Sequence, residues 1–417
     1  MKAPRIQSID IFRGLTMILM TIVNNPGDWD NVFPPFLHAH WHGCTPTDLV
    51  FPFFVFTMGM AVPFAVKTQT TLDKALFIKI LTRSLRIFNL GLFLNFFSKI
   101  HFFGLEGIPL MVLRLAVTVL VGVALLGNFS SKTKLVLALS IFFGMIGLAF
   151  LGPEDFANVR IPGVLQRIGI VYFLAMLIQL TLTFKWRLVA AAVLLLGYWA
   201  AMGLIQVPGV GAANYEVGTN LAAWLDNFLL PGHLWASSKT WDPEGILSTF
   251  PAVVTVLLGI WTTEFILSKP QNLRAKLFGI GLGLLLVAKL WDVYFPINKA
   301  LWTSSYVLYA GGWAILVFTL IEVVFGVKEK NKVASFLVMW GVNPMIVFFG
   351  SGIVPRALNM IKVGPEQEGL TDYIYFDWIS PLFSEPKVSS LVGALCFVGI
   401  WTVILLIFKK KNLIFKV

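Results

Sequence analysis

Residues 34–59 read PPFLHAHWHGCTPTDLVFPFFVFTMG. His38, His40 and His42 alternate in a short polar loop that ends on Asp48 and runs straight into an apolar helix. Titratable side chains are costly at a membrane boundary, so a cluster there points to function. Histidine is also the side chain best suited to moving protons near neutral pH. The stretch sets two expectations: the helix after Asp48 lies in a bilayer, and the loop before it does chemistry.

The rest of the chain agrees with the first expectation. Of 417 residues, 57% are hydrophobic and 13% charged, against about 25% charged in soluble domains. Mean hydropathy is +0.81. Charge-free runs recur along the whole length, which predicts one all-α domain over 1–417, a polytopic transmembrane helical bundle. A soluble multidomain chain would leave these apolar faces uncovered. The net charge of +11 would suggest nucleic acid in a soluble protein. Here it marks cytoplasmic loops, and the expected partner is the lipid bilayer, not nucleic acid. Cys44 and Cys396 lie far apart and imply no disulfide framework. The first apolar run contains Asp10 and Arg13 and lacks a small-residue cleavage site, so it is expected to stay as the first span.

About twelve helices of membrane length are expected. They cover 9–25, 48–67, 76–97, 109–127, 133–151, 163–183, 186–206, 245–266, 274–294, 303–326, 333–352 and 388–408. Alternating the loops between two sides puts most of the 32 Lys and Arg on the side of the N-terminus. Lys2, Arg5, Lys67, Arg83, Arg86, Lys132, Lys134, Lys185, Arg187, Lys328, Lys330, Lys332, Lys409 and Lys416 are among them. This asymmetry predicts cytoplasmic termini, an even number of spans and an outward histidine loop. Ile108-Pro109 with Arg114 echoes Ile161-Pro162 with Arg167. Duplication explains this echo, and so does the general likeness of apolar hairpins. The loops 207–244 and 353–387, rich in Gly, Pro, aromatic and acidic residues, are expected to cover the outer face.

Polar residues gather at the outer ends of the expected spans: Asn24, Asn25, His38, Asp48, Arg160, Gln166, Arg167, Asp226, His233, Asp242, Glu244, Asn298, Lys299 and Asn343. Taken singly, each is explained equally by helix capping or snorkelling. Taken together, they could meet in one cavity. The alternating histidines are a weak metal motif, because an exposed loop offers neither enough ligands nor firm support behind them, and no metal is expected. A base oriented by a carboxylate needs only one histidine and one acid, and His38 with Asp48 would serve. Asp10 and Arg13, three apart on one helix face, form either a structural ion pair or an anion contact at the cytoplasmic mouth.

Six segments, in order and nearly end to end, resemble the heparan-α-glucosaminide N-acetyltransferase family within the transmembrane acyltransferases. They are SIDIFRG (8–14), HAHWHGCTPTDLVFPFFVFTMG (38–59), RIPGVLQRIGIVY (160–172), DPEGILST (242–249), INKALWTSSYV (297–307) and GVNPMIVFFG (341–350). Two departures stand out. The N-terminal luminal part of lysosomal members has no counterpart here, and the hairpin at 98–155 looks inserted. His40 and His42 occupy positions where the family pattern does not require histidine.

The resemblance implies acetyl-CoA as donor, a glucosamine-type amine as acceptor and His38 as the active-site histidine. Asp48 would orient it, and Asn24 or Asn25 would face the developing oxyanion. Asp242 and Glu244 would attract the acceptor ammonium, with Arg160, Arg167, Asn298, Lys299, Trp302 and Asn343 also on the substrate side. Trp41 is a second candidate for stacking on the sugar. Arg13, Arg83 and Arg86 would meet the nucleotide end of the donor. His38 acts either as base or as acetyl carrier. The expected setting is a bacterial inner membrane, with the His38 loop periplasmic and a homodimer in keeping with the resemblance. The alternative is a transporter of amino sugars or related saccharides, which the many spans and outward polar cavity would also suit.

Overall fold

A backbone deprived of water must satisfy its own hydrogen bonds, and this chain does so with helices. The structure, a computed structural model, describes residues 6–66, 71–102, 104–326 and 331–415. Of the basic residues assigned above to the N-terminal side, Lys2, Arg5, Lys67, Lys328, Lys330 and Lys416 lie outside them. The helices are α1 (Gln7–Asn24), α2 (Val50–Ala65), α3 (Lys74–Phe97), α4 (Gly107–Leu126), α5 (Ser131–Leu151), α6 (Val164–Thr181), α7 (Phe184–Leu204), α8 (Leu221–Leu229), α9 (Thr249–Leu267), α10 (Leu273–Asp292), α11 (Ser304–Phe325), α12 (Lys332–Val342), α13 (Pro344–Leu358), α14 (Leu370–Tyr373) and α15 (Pro386–Lys410). A two-residue antiparallel pair, Lys362–Val363 with Glu368–Gly369, is the one sheet among the described residues.

Every expected span has a helix under it. By length and composition, eight helices among the described residues can cross a membrane, or nine if α12 and α13 count as one. α1, α3 and α10 are long enough but carry more polar and charged residues, among them Asp10 and Arg13, Arg83 and Arg86, and Lys289 and Asp292. The expected continuous span 333–352 is instead two helices bent by 70°. Pro344 explains the break, since it has no N–H to give to the preceding turn.

Burial sorts the bundle. In α2, α9 and α6 more than half of the apolar window is covered, whereas α4 and α5 are only 17% covered. Side chains such as Leu120, Phe143 and Leu151 on that hairpin face outward, a surface that suits lipid. The inner helices touch backbone to backbone through glycine. A Cβ on Gly59 would fall 2.2 Å from the Val256 carbonyl oxygen, and one on Gly259 would fall 2.1 Å from that of Phe56. Small residues allow such close approach and the dispersion that comes with it. Gly14 and Gly341 bring α1 and α12 together in the same way.

The helix ends collect at two faces. At the face where α1 begins, Lys409 donates to Ser335 Oγ at 3.0 Å, and Asn343 donates to the Leu413 carbonyl at 3.1 Å. At the face where α1 ends lie the 25–49 loop, α8 and the loops before α9 and α11. Those loops hold most of the polar residues picked out above.

Candidate functional site

Local sequence builds the centre. Thr45-Pro46-Thr47-Asp48 forms a capping box ahead of α2, with proline at the first turn position, where its missing N–H costs nothing. The cap turns the Asp48 carboxylate inward, toward its own loop. One oxygen, Oδ2, accepts the N–H of Thr45 and the N–H of Ala39, each at 3.0 Å. The other, Oδ1, lies 2.7 Å from His38 Nδ1. Thr45 donates its hydroxyl to the Leu37 carbonyl at 2.7 Å, which closes the loop. The Asp48 side chain is only 2% exposed and that of His38 is 54% exposed. A carboxylate only accepts, so Nδ1 carries the proton and Nε2 keeps a lone pair.

The loop before α11 supplies a third member. Lys299 Nζ stands 3.0 Å from His38 Nδ1, 3.3 Å from Nε2 and 3.6 Å from Asp48 Oδ1. Burial pulls the lysine below its ordinary pKa, with Asp48 and Glu244 opposing. Its loop is tightly held. Asn298 Oδ1 accepts the Leu301 N–H at 2.9 Å, and the Gly43 N–H donates to the Ile297 carbonyl at 2.7 Å. Trp302 sits at φ 47°, a left-handed conformation that costs roughly 1–2 kcal/mol for such a residue. Its indole donates to Thr255 Oγ1 at 3.2 Å and packs edge-on to Phe51 and Tyr306. Tyr306 in turn donates to the Asp48 backbone carbonyl at 2.6 Å. Trp302 is 1% exposed, so it supports the site from below, with no ring face open to a sugar in this structure. Trp41, by contrast, lies in an edge-on cluster with Trp241, which meets Trp235. Cys44 adjoins the site, but burial pushes its thiol up to about 12, which keeps it protonated at neutral pH.

An ionic cluster stands beside this centre. Arg160 clamps Asp242 with two bonds, of 2.8 and 2.6 Å, and reaches Glu244 at 2.5 Å. Burial alone would weaken its proton affinity, but the two carboxylates raise it above the ordinary value. Asp226 on α8 accepts the N–H of Ile246 at 2.8 Å, and burial raises its pKa to about 6. Arg167 is fully buried. It donates to the Gly245 carbonyl at 3.0 Å and to Ser248, and its guanidinium lies 5.1 Å from the Trp302 ring centre. A cavity of about 730 Å³ opens next to Arg160, between α1, α3, α6, α13 and α15. Asn24, Asn25, Asn95, Gln166 and Arg356 are on its wall.

The fold thus gathers His38, Asp48, Lys299, Asn298 and Trp302 in one group. It gathers Arg160, Arg167, Asp242 and Glu244 in another. Asn24 faces the cavity, whose lining does not include His38. Asn343 joins neither group, because it ties the segment after α15 to the α12–α13 break at the opposite face. Three arginines expected to meet a nucleotide are spread out. Arg13 bonds Asp10 at 2.5 Å and the Gly341 carbonyl. Arg83 stacks on Tyr172 at 4.7 Å. Arg86 donates to the Leu125 carbonyl at the end of α4. Among the described residues, no group of three or more His, Cys, Asp and Glu could hold a metal ion. Sequence reasoning missed Thr45, although its spacing to Asp48 was a readable capping signal. It also missed Tyr306, which carried none.

Fold and site together describe a helical, multi-pass membrane protein with a carboxylate-oriented histidine at one end of its spans. The chain is 26% identical to heparan-alpha-glucosaminide N-acetyltransferase from Homo sapiens, over 99% of its own length and 60% of that protein's. It is 25% identical to the Mus musculus protein of the same name, over 100% of its length and 61% of that relative's. Over nearly its whole length the chain is thus similar to heparan-alpha-glucosaminide N-acetyltransferases. The chain spans about 60% of the length of these curated relatives. No family model matches it.

Proposed function

We propose that this chain is a membrane N-acetyltransferase that moves an acetyl group from cytoplasmic acetyl-CoA to the amine of a glucosamine-type sugar at the outer face. The observation that carries the reading is the His38–Asp48 pair at 2.7 Å, in a chain related along its whole length to acetyltransferases. Charge placement puts the face where α1 begins in the cytoplasm and His38 across the bilayer from it.

A protonated amine cannot attack a thioester. His38 Nε2, with its lone pair, removes that proton, and Asp48 stabilises the imidazolium that results. In the other acyl path, Nε2 attacks the thioester first and the acetyl-imidazole is then passed to the amine. Asp48 holds the same tautomer in both. Asp48, beside His38 and Lys299, is the carboxylate placed to balance an approaching ammonium, since Glu244 is already held by Arg160. The tryptophan cluster around Trp41 offers apolar faces for a sugar ring. The cavity beside Arg160 is within the size range of small-molecule sites, about 300–1,000 Å³, and has room for the acyl-bearing arm of the donor.

His38→Ala in purified membranes should lower transfer from labelled acetyl-CoA to amino sugars by about 10²-fold or more, with insertion unchanged. Near-normal transfer would remove His38 from the mechanism. Movement of unaltered amino sugar without acetyl-CoA would favour a carrier.

A further inference from the structure

Lys299 presents a primary amine beside the His38 ring. Its Nζ is 3.0 Å from Nδ1 and 3.3 Å from Nε2, so a small shift brings it into proton-transfer reach of the Nε2 lone pair, about 2.6–3.2 Å. The same nitrogen is 3.6 Å from Asp48, the group that would balance an acceptor's ammonium. Its position is not casual. The Asn298 turn, the Gly43–Ile297 bond and the left-handed Trp302 all fix the segment that carries it. The Lys299 side chain is 21% exposed, so it is shielded but not sealed.

We propose that Lys299 is an internal acetyl acceptor, which becomes Nε-acetyllysine when the donor is bound and no sugar is present, and so closes the site. The inference rests on the acetyltransferase reading above. In the step, the deprotonated ε-nitrogen forms a bond to the acetyl carbonyl carbon. The carbon–sulfur bond breaks, and its electron pair leaves with the CoA sulfur. The proton lost from nitrogen passes to His38 Nε2 and then to the thiolate. Burial favours the neutral amine that the step requires. The product amide has no ammonium to pair with Asp48, and its acetyl group fills the space in front of Nε2. A sugar amine then has no place to stand.

The test uses the full chain in nanodiscs with deuterated acetyl-CoA, with and without glucosamine. Lys299 is read by peptide mass spectrometry, and acetylated glucosamine is measured in parallel. Without glucosamine, Lys299 should gain a hydroxylamine-stable acetyl group, about ten-fold or more above its level in His38→Ala and His38→Gln. Glucosamine should suppress the label. Glucosamine acetylated in its own arm, with Lys299 unmodified in the arm without glucosamine, overturns the inference and leaves the acetyltransferase reading standing. Equal labelling in wild type and the His38 variants overturns it as well, since the acetyl group would then arrive by uncatalysed chemistry. If the variants do not fold, the wild-type arm decides, because a label insensitive to an acetylated glucosamine acceptor is not made in the acceptor site. If neither Lys299 nor glucosamine is acetylated, the acetyltransferase reading falls, and the inference falls with it.

Discussion

Asp48 does three jobs with one side chain: it caps α2, ties the 37–45 loop and orients His38. Asp48→Asn should separate these jobs. The amide can still accept one N–H, so capping should lose only about 1 kcal/mol. His38 loses its anionic partner, and transfer should fall by about 10²–10⁴-fold. Thermal unfolding and acetyl-transfer assays on one preparation check both. Equal damage to stability and activity would contradict the assignment.

Asp226 makes a prediction in pH. Its folded-state pKa of about 6 is above the ordinary 3.8, so the folded protein holds this proton more tightly than the unfolded one. The stability it contributes is fully present below pH 3.8 and is lost as pH rises through about 6, a span worth roughly 3 kcal/mol. Melting curves of wild type and Asp226→Asn should therefore diverge between pH 4 and 6. Parallel curves would show that the carboxyl is not buried as described. At this scale the sequence was informative where partners are near in the chain. His38 and Asp48 are ten residues apart and could be paired by reading. Lys299 reaches His38 from 261 residues away, and only the folded bundle brings it there.

At the level of elements, the apolar runs showed the helices because bilayer thickness fixes their length. Contacts between helices were less visible. Nothing in the local pattern shows that Gly59 and Gly259 face one another. Gly59→Val should cost about 1–3 kcal/mol through overpacking, seen as a lower unfolding temperature in detergent. Unchanged stability would mean that α2 and α9 are not in backbone contact. The inserted-looking hairpin gives a second test. Arg86 donates to the end of α4 and Asn89 donates to the Ala138 carbonyl at 2.7 Å, so both side chains staple α4 and α5 to α3. Arg86→Met should speed hydrogen exchange near Leu125 and leave the acetyl-CoA KM within about two-fold. A large rise in KM with unchanged exchange would restore Arg86 as a donor contact. The bend at Asn343-Pro344 was missed by the expected continuous span 333–352, although its proline was a signal for it, and the tail that Asn343 holds had no signal at all.

For the molecule as a whole, the question is sidedness. Charge asymmetry separates two faces, and the structure places the His38–Asp48–Lys299 group at the face opposite the start of α1. On the proposed function, a polyanionic donor and a polar acceptor meet through the protein. The cavity beside Arg160 lies next to the ionic cluster of Arg160, Asp242 and Glu244, and on the proposed reading it holds part of the donor's path toward His38. The direct measurement is transfer in sealed vesicles of known orientation, with labelled acetyl-CoA confined to the cytoplasmic side and glucosamine confined to the other. The account predicts acetylated sugar on the glucosamine side, with no label there as intact acetyl-CoA. Transfer that occurs only when both substrates share one compartment would contradict it.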